Sequence, residues 1–166
     1  FGRRLWKDVG GVRTNFLYAD EGLIGEYDAA GIEIKSYGYV PNSTWTANPL
    51  FQKIGSAYYW YQNDRLGTPQ KIVDSAGGSV WSATYDSFGY AQVGVASIKN
   101  NLRFPGQYFD FETDLYYNWM RYYNPKTGRY LNRDSLGDGM NFYSYVHSNP
   151  INFIDPTGLC AVRNTG

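Results

Sequence analysis

One short unit recurs along this chain of 166 residues: an aspartate followed three places later by a glycine. It pairs Asp28 with Gly31, Asp64 with Gly67, Asp74 with Gly77, Asp86 with Gly89, Asp134 with Gly137 and Asp155 with Gly158. An aspartate side chain accepts hydrogen bonds from the backbone N–H groups just ahead of it, and glycine takes the positive φ that closes a tight turn. Each unit therefore predicts a hairpin-like connection, and turns at such short intervals leave room only for short antiparallel strands.

The residues between the turns agree. In residues 31–40 Ile32, Ile34 and Tyr39 are expected on one face and Glu33 and Lys35 on the other. Residues 57–61 and 79–85 are rich in strand formers, so Asp74 and Gly77 read as the tip of a hairpin between residues 69–73 and 79–85. The first 25 residues read as two short strands around residues 19–22, and residues 41–49 and 95–101 as irregular. Only residues 141–147 suggest a short helix, capped by Asp138 or Asn141. The fold class expected is all-β, antiparallel hairpins forming part of a curled sheet or shell. Seventeen Tyr, nine Phe and five Trp beside 19 Gly fit that reading, since aromatics favour half-buried strands. A flat ribbon would expose its aromatic faces and its edges, so the chain is expected to curl or to join a larger assembly.

Composition also excludes function classes. Fifteen basic and fifteen acidic residues balance, which argues against nucleic-acid binding. No stretch approaches the ~20 apolar residues of a membrane helix, and no signal peptide is visible. One cysteine offers neither an internal disulfide nor a zinc cluster, and no metal or cofactor is expected. The single His147 weakens any Ser-His or Cys-His triad and reads as a turn residue. The chain opens on Phe1 and stops at Gly166, and is expected to be a piece of a longer protein.

Near the carboxyl end the repeated unit takes on another aspect. Asp155 stands four residues before the Leu159–Cys160 bond, and Asp134 lies upstream, an arrangement that permits a carboxylate pair aimed at the chain's own backbone. Two acids and a positioned water suffice for peptide hydrolysis. Four other aspartates in the same motif carry no evident chemistry, so the competing reading makes both of these plain turn residues.

The stretch from residue 103 to 159 carries further motifs: Arg103-Phe-Pro-Gly-Gln-Tyr-Phe-Asp110-Phe-Glu-Thr, Leu115-Tyr-Tyr-Asn, Arg121-Tyr-Tyr-Asn-Pro125-Lys-Thr-Gly-Arg-Tyr130, Arg133-Asp134, Asn141-Phe-Tyr-Ser-Tyr145, Asn149-Pro150 and Asp155-Pro-Thr-Gly-Leu159. Together they resemble the conserved core end of the Rhs/YD-repeat family. Residues 1–102 resemble it more loosely, as tyrosine- and glycine-rich repeats. The resemblance implies a bacterial polymorphic toxin or related surface protein, secreted or exported, whose YD repeats wind a β-sheet into a hollow shell around a variable C-terminal toxin. The core end would plug that shell and cut the chain after Leu159, within a motif made by Pro150, Asp155, Pro156, Gly158 and Leu159. The implied division is 1–102 repeat sheet, 103–159 core end, and 160–166 the start of the variable region.

Under this resemblance Asp134 and Asp155 are the catalytic pair of a single-turnover aspartic autoprotease. Arg129 and Arg133 flank the same turn, and each is a candidate to stabilise the oxyanion or to lower the pKa of one acid by proximity; in the bland alternative it anchors the plug by an ion pair. Two departures from the family pattern stand out: Ser135 replaces a proline, and Asp114 replaces a glycine. Cys160 offers a rival route, thiol attack on the Leu159 carbonyl. The expected partners are the rest of the shell, its toxin, and a secretion apparatus or chaperone. The alternatives are a non-cleaving interaction module and a carbohydrate-binding one, the latter resting on aromatic runs 58–61 and 116–119, which otherwise read as cross-strand packing.

Overall fold

A computed structural model of the chain describes residues 2–135 and 141–163. Nine strands form the principal sheet: β1 (Trp6–Val9), β2 (Val12–Ala19), β3 (Gly22–Tyr27), β4 (Glu33–Tyr39), β5 (Pro49–Ile54), β6 (Ala57–Asn63), β7 (Pro69–Val73), β8 (Ser79–Tyr85) and β9 (Ala91–Ala96). They pair strictly in chain order and antiparallel, an open ribbon of hairpins rather than a barrel. A second sheet follows, β10 (Tyr108–Asp110), β11 (Leu115–Asn118), β12 (Arg121–Asn124) and β13 (Arg129–Tyr130), and then a small hairpin of β14 (Phe153–Ile154) and β15 (Val162–Arg163).

The repeated turns are built alike. At Asp28, Asp64, Asp74 and Asp86 the Oδ1 atom accepts from the N–H groups two and four residues ahead, at 2.8–2.9 Å. The glycine N–H donates back to the aspartate carbonyl, with glycine φ between 81° and 85°. A seventh unit, Asp8 with Gly11, closes the β1–β2 hairpin, the Gly11 N–H donating to Asp8 Oδ1 at 2.9 Å. The strand β1 is thus an addition to the two expected in the first 25 residues.

Register shifts interrupt six of the sheet's eight strand pairings. Bulges raise local twist and bend a sheet, so the ribbon has a face to wrap around something. The observed faces correct the expectation for β4. Its alternation from Glu33 to Tyr39 is strict, and the buried face is that of Lys35, Tyr37 and Tyr39, while Ile32 and Ile34 are exposed. Tyr39 shares the parity of Lys35 rather than of Ile34, and the lysine is tolerated inside because its Nζ donates to the Lys99 carbonyl and to Asn101 Oδ1.

The core lies between this face and the chain that follows it. Phe16, Leu23, Tyr37, Tyr39, Tyr61, Ile72 and Trp81 of the sheet pack with Leu102, Tyr108 and Tyr117. A second cluster joins Phe104, Tyr116, Tyr123, Tyr130, Tyr145 and Val146. Glu26 sits buried in the first, where Tyr37 and Tyr108 donate their hydroxyls to its two oxygens at 2.5 and 3.1 Å. Arg4, just before β1, and Lys7 of β1 fasten this end of the chain to the second sheet, both on Asp110. Of the aromatic runs, Tyr116 and Tyr117 are buried, while exposed Tyr58 and Trp60 pack edge-on to Phe51.

Residues 141–147 form no α-helix. A turn, in which the Ser144 N–H donates to the Asn141 carbonyl, leads into a single 3-10 turn at Val146–Ser148. Val146, His147 and Ser148 all have positive φ (41°, 54° and 61°), because Tyr145 and Val146 are drawn into the second core. Asp138, the other expected cap, lies outside the described residues, as does Gly137.

Burial, reinforced by neighbouring charge or hydroxyls, pushes the hydroxyls of Tyr37, Tyr61, Tyr108 and Tyr130 well above the ordinary tyrosine value. The unfolded chain sheds these protons near pH 10 and the native one does not. Their contribution is complete below about pH 10 and lost as pH rises beyond it. The urea midpoint is expected to hold steady from neutrality to about pH 9 and to fall steeply above pH 10, with phenolate absorbance rising in step with unfolding.

Candidate functional site

The site is assembled from three pieces of chain around one cation. Arg121 opens β12, on the same face as Tyr123, and strand alternation turns both inward. A guanidinium on a buried face demands counter-charge. It finds two: Arg121 Nη2 lies 3.0 Å from Asp134 Oδ2 and 3.2 Å from Asp155 Oδ2, with all three side chains nearly inaccessible to solvent. The guanidinium also stacks on Tyr130, 3.6 Å from the ring centroid. Its Nε donates to the Gly158 carbonyl and its Nη1 to the Phe142 carbonyl.

Asp155 is held by donors on both oxygens. Its Oδ1 accepts from the N–H groups of Thr157, Gly158 and Leu159 at 3.3, 2.8 and 3.1 Å. Its Oδ2 takes the Tyr130 hydroxyl at 2.7 Å beside Arg121. Asn118 completes the setting by donating through one Nδ2 to both the Tyr130 hydroxyl and the Asp155 carbonyl, each at 2.8 Å. Burial first, then the Asp155 charge, pushes the Tyr130 hydroxyl up, which keeps it a donor.

The motif loop fits only as it stands. Gly158 has φ 73°, and a Cβ there would lie 2.3 Å from the Asn118 carbonyl oxygen. Gly106 likewise leaves room for Pro156, since a Cβ would meet the Pro156 backbone at 2.2 Å. Pro150 and Pro156 are buried. The Met120 N–H donates to the Thr157 carbonyl, and β14 pairs with β15 on either side of the loop, Ile154 facing Val162. The Leu159–Cys160 bond is thereby carried on a short loop closed at its base.

A cavity of about 10 Å³ lies at the centre, bounded by Arg121, Asp134, Ser144, Val146, His147, Asp155, Leu159 and Ala161. That is room for about one water. Residues on both sides of the Leu159–Cys160 bond border it. Cys160 itself is an exposed thiol.

The structure thus brings Asp134, Asp155 and Leu159 together and leaves Arg129 and Arg133 outside. Arg129 reaches Asn141 and the Tyr143 ring, and Arg133 lies over Phe142, 4.3 Å from its centroid. The cation facing the acids is Arg121. Its signal was in the sequence: a charge spaced by two from Tyr123 in a strand of aromatics. Tyr130 and Asn118 were missed for the same reason, as strand positions without an obvious chemical role. Of the two departures noted in the motifs, Asp114 adopts φ 59° at the turn after β10, which explains why glycine suits that place. Ser135 is exposed directly after Asp134. Among the described residues no group of three or more His, Cys, Asp or Glu could hold a metal ion, and no helix is long and apolar enough to cross a membrane.

The fold has clear counterparts. The chain superposes on the TcdB2–TccC3 crystal structure with a TM-score of 0.67 at 22% identity, covering 95% of this chain and 9% of that one. It superposes on the Photorhabdus luminescens Tc holotoxin pore with a TM-score of 0.66 at 20% identity, covering 97% and 8%. Residues 58–93 match the family described as RHS protein. Curated relatives include the double-stranded DNA deaminase toxin A of Burkholderia cenocepacia, 37% identical over 64% of this chain and 8% of that protein. The toxin protein Tse5 of Pseudomonas aeruginosa is 39% identical over 60% and 8%. The tRNA nuclease WapA of Bacillus subtilis is 34% identical over 95% and 7%. The chain spans less than half the length of these relatives. The fold is an all-β, antiparallel one of the kind found in the TcdB2–TccC3 structure. The chain belongs to the Rhs family.

Removing the cation strands two buried carboxylates, a loss of about 3–5 kcal/mol for a broken buried pair. Arg121→Met is expected to lower the urea midpoint strongly, and Arg129→Met and Arg133→Met to leave it near the parent's.

Proposed function

We propose that residues 103–159 close the end of an Rhs shell and cut the chain once, between Leu159 and Cys160, by an aspartic mechanism. The observation that carries this reading is the single Arg121 nitrogen shared by Asp134 and Asp155 beside a water-sized cavity that Leu159 and Ala161 border. Asp155 anchors the loop through the N–H groups of residues 157–159, and so fixes the peptide bond against the cavity. Asp134 takes the proton of a water placed there, and the water oxygen bonds to the Leu159 carbonyl carbon. Arg121 lies where it balances the oxyanion that forms. Collapse of the intermediate breaks the C–N bond as a proton passes to the nitrogen, so that Cys160 leaves as a free amine. Such a site turns over once, since its substrate is its own chain.

In this reading residues 1–102 contribute wall to the shell, and 160–166 begin the variable region. The unpaired outer edges of β1 and β9 are where further repeats of a longer chain would add. The named toxins among the relatives support export from a bacterium and a toxin as the enclosed cargo. The thiol route is less well served, since Cys160 faces solvent.

Intact mass decides between a cutting and a non-cutting plug. The parent chain is expected to lose residues 160–166, and Asp134→Asn and Asp155→Asn to keep full length. A folded parent that stays whole would leave both aspartates as structural acceptors of the plug.

A further inference from the structure

The turn at Val146–Ser148 holds three consecutive non-glycine residues at positive φ, among them the β-branched Val146 at 41°. Each such residue costs about 1–2 kcal/mol of backbone strain. Strain of this kind persists where the surroundings impose it, and it gathers at functional sites. Here Tyr145 and Val146 are locked in the second core, and the strained turn places His147 on the wall of the cavity that Asp134, Asp155, Leu159 and Ala161 share. Asp134 and Asp155 are buried, whereas His147 is exposed. It therefore stands between the cavity and solvent.

The charged groups around that cavity are Arg121 of β12, Asp134 after β13 and Asp155 after β14. Arginine keeps its charge at any working pH. Imidazole is the side chain whose charge ordinarily changes between about pH 5 and 8, and this is the chain's one histidine.

Resting on the aspartic reading above, we propose that His147 is the proton donor to the departing Cys160 amine. Water adds to the Leu159 carbonyl carbon as its proton passes to Asp134. The C–N bond then breaks as the imidazolium proton moves to the Cys160 nitrogen. The carboxylic acid left on Asp134 returns its proton through solvent to the neutral imidazole, so protons balance. With two acids and one fixed cation buried together, a donor that reloads from solvent leaves Asp134 only the role of acceptor.

The test is the rate of cutting after refolding from denaturant, followed by intact mass across about pH 5–8. His147→Asn is the variant of choice, since asparagine tolerates positive φ. His147→Asn is expected to cut at least tenfold more slowly than the parent and to lose the parent's dependence on pH. Added imidazole is expected to restore part of the variant's rate, which a merely structural role would not allow. A His147→Asn chain that cuts at the parental rate with the parental profile overturns the proposal while leaving the dyad intact. Cutting that survives in Asp134→Asn and Asp155→Asn, or an uncut parent, overturns the dyad and this proposal with it.

Discussion

Among the described residues, the candidate site is held together by one buried guanidinium. Arg121 faces two carboxylates, two backbone carbonyls and an aromatic ring. Burying a charge is tolerable only with such compensation, and each partner is fixed by what it satisfies. Asp134, Phe142 and the motif loop all meet at Arg121, beside the backbone bonds that join residues 130 and 134 to 143 and 142 and residue 120 to 157.

The large sheet serves that arrangement at a distance. Its repeated aspartate turns make hairpins cheaply and locally, and its bulges bend the ribbon so that one aromatic face can close over the following chain. Tyr108 and Tyr117 join that core from β10 and β11, which orients the second sheet and hence β12. Tyrosine suits this role because its ring packs as a hydrophobe while its hydroxyl satisfies buried acceptors such as Glu26 and Asp155.

What the sequence disclosed follows the range of the forces involved. The turns were legible because Asp74 and Gly77 bond to each other and to residues between them. The faces of β4 were not, because its buried face carries Lys35, whose charge is satisfied only by the distant Lys99 carbonyl and Asn101 side chain. The same contrast holds at the site. Asp134 and Asp155 could be singled out from motif and position, whereas their cation was sought next to Asp134 in the chain, at Arg129 and Arg133. Strand geometry instead delivers Arg121 from β12, the strand paired with β13. His147 was read as a turn residue, which it is, but which cavity that turn lines depends on Tyr145 and Val146 being buried.

The central claim is that folding around Arg121 builds the cutting site. Its most direct measurement follows intact mass while the chain, isolated uncut in denaturant, is refolded by dilution. The account predicts no cleavage in denaturant, cleavage after Leu159 that appears only as tyrosine burial develops, and none in refolded Asp134→Asn. Cleavage at that bond in the unfolded chain, or at an equal rate in the variant, would contradict it.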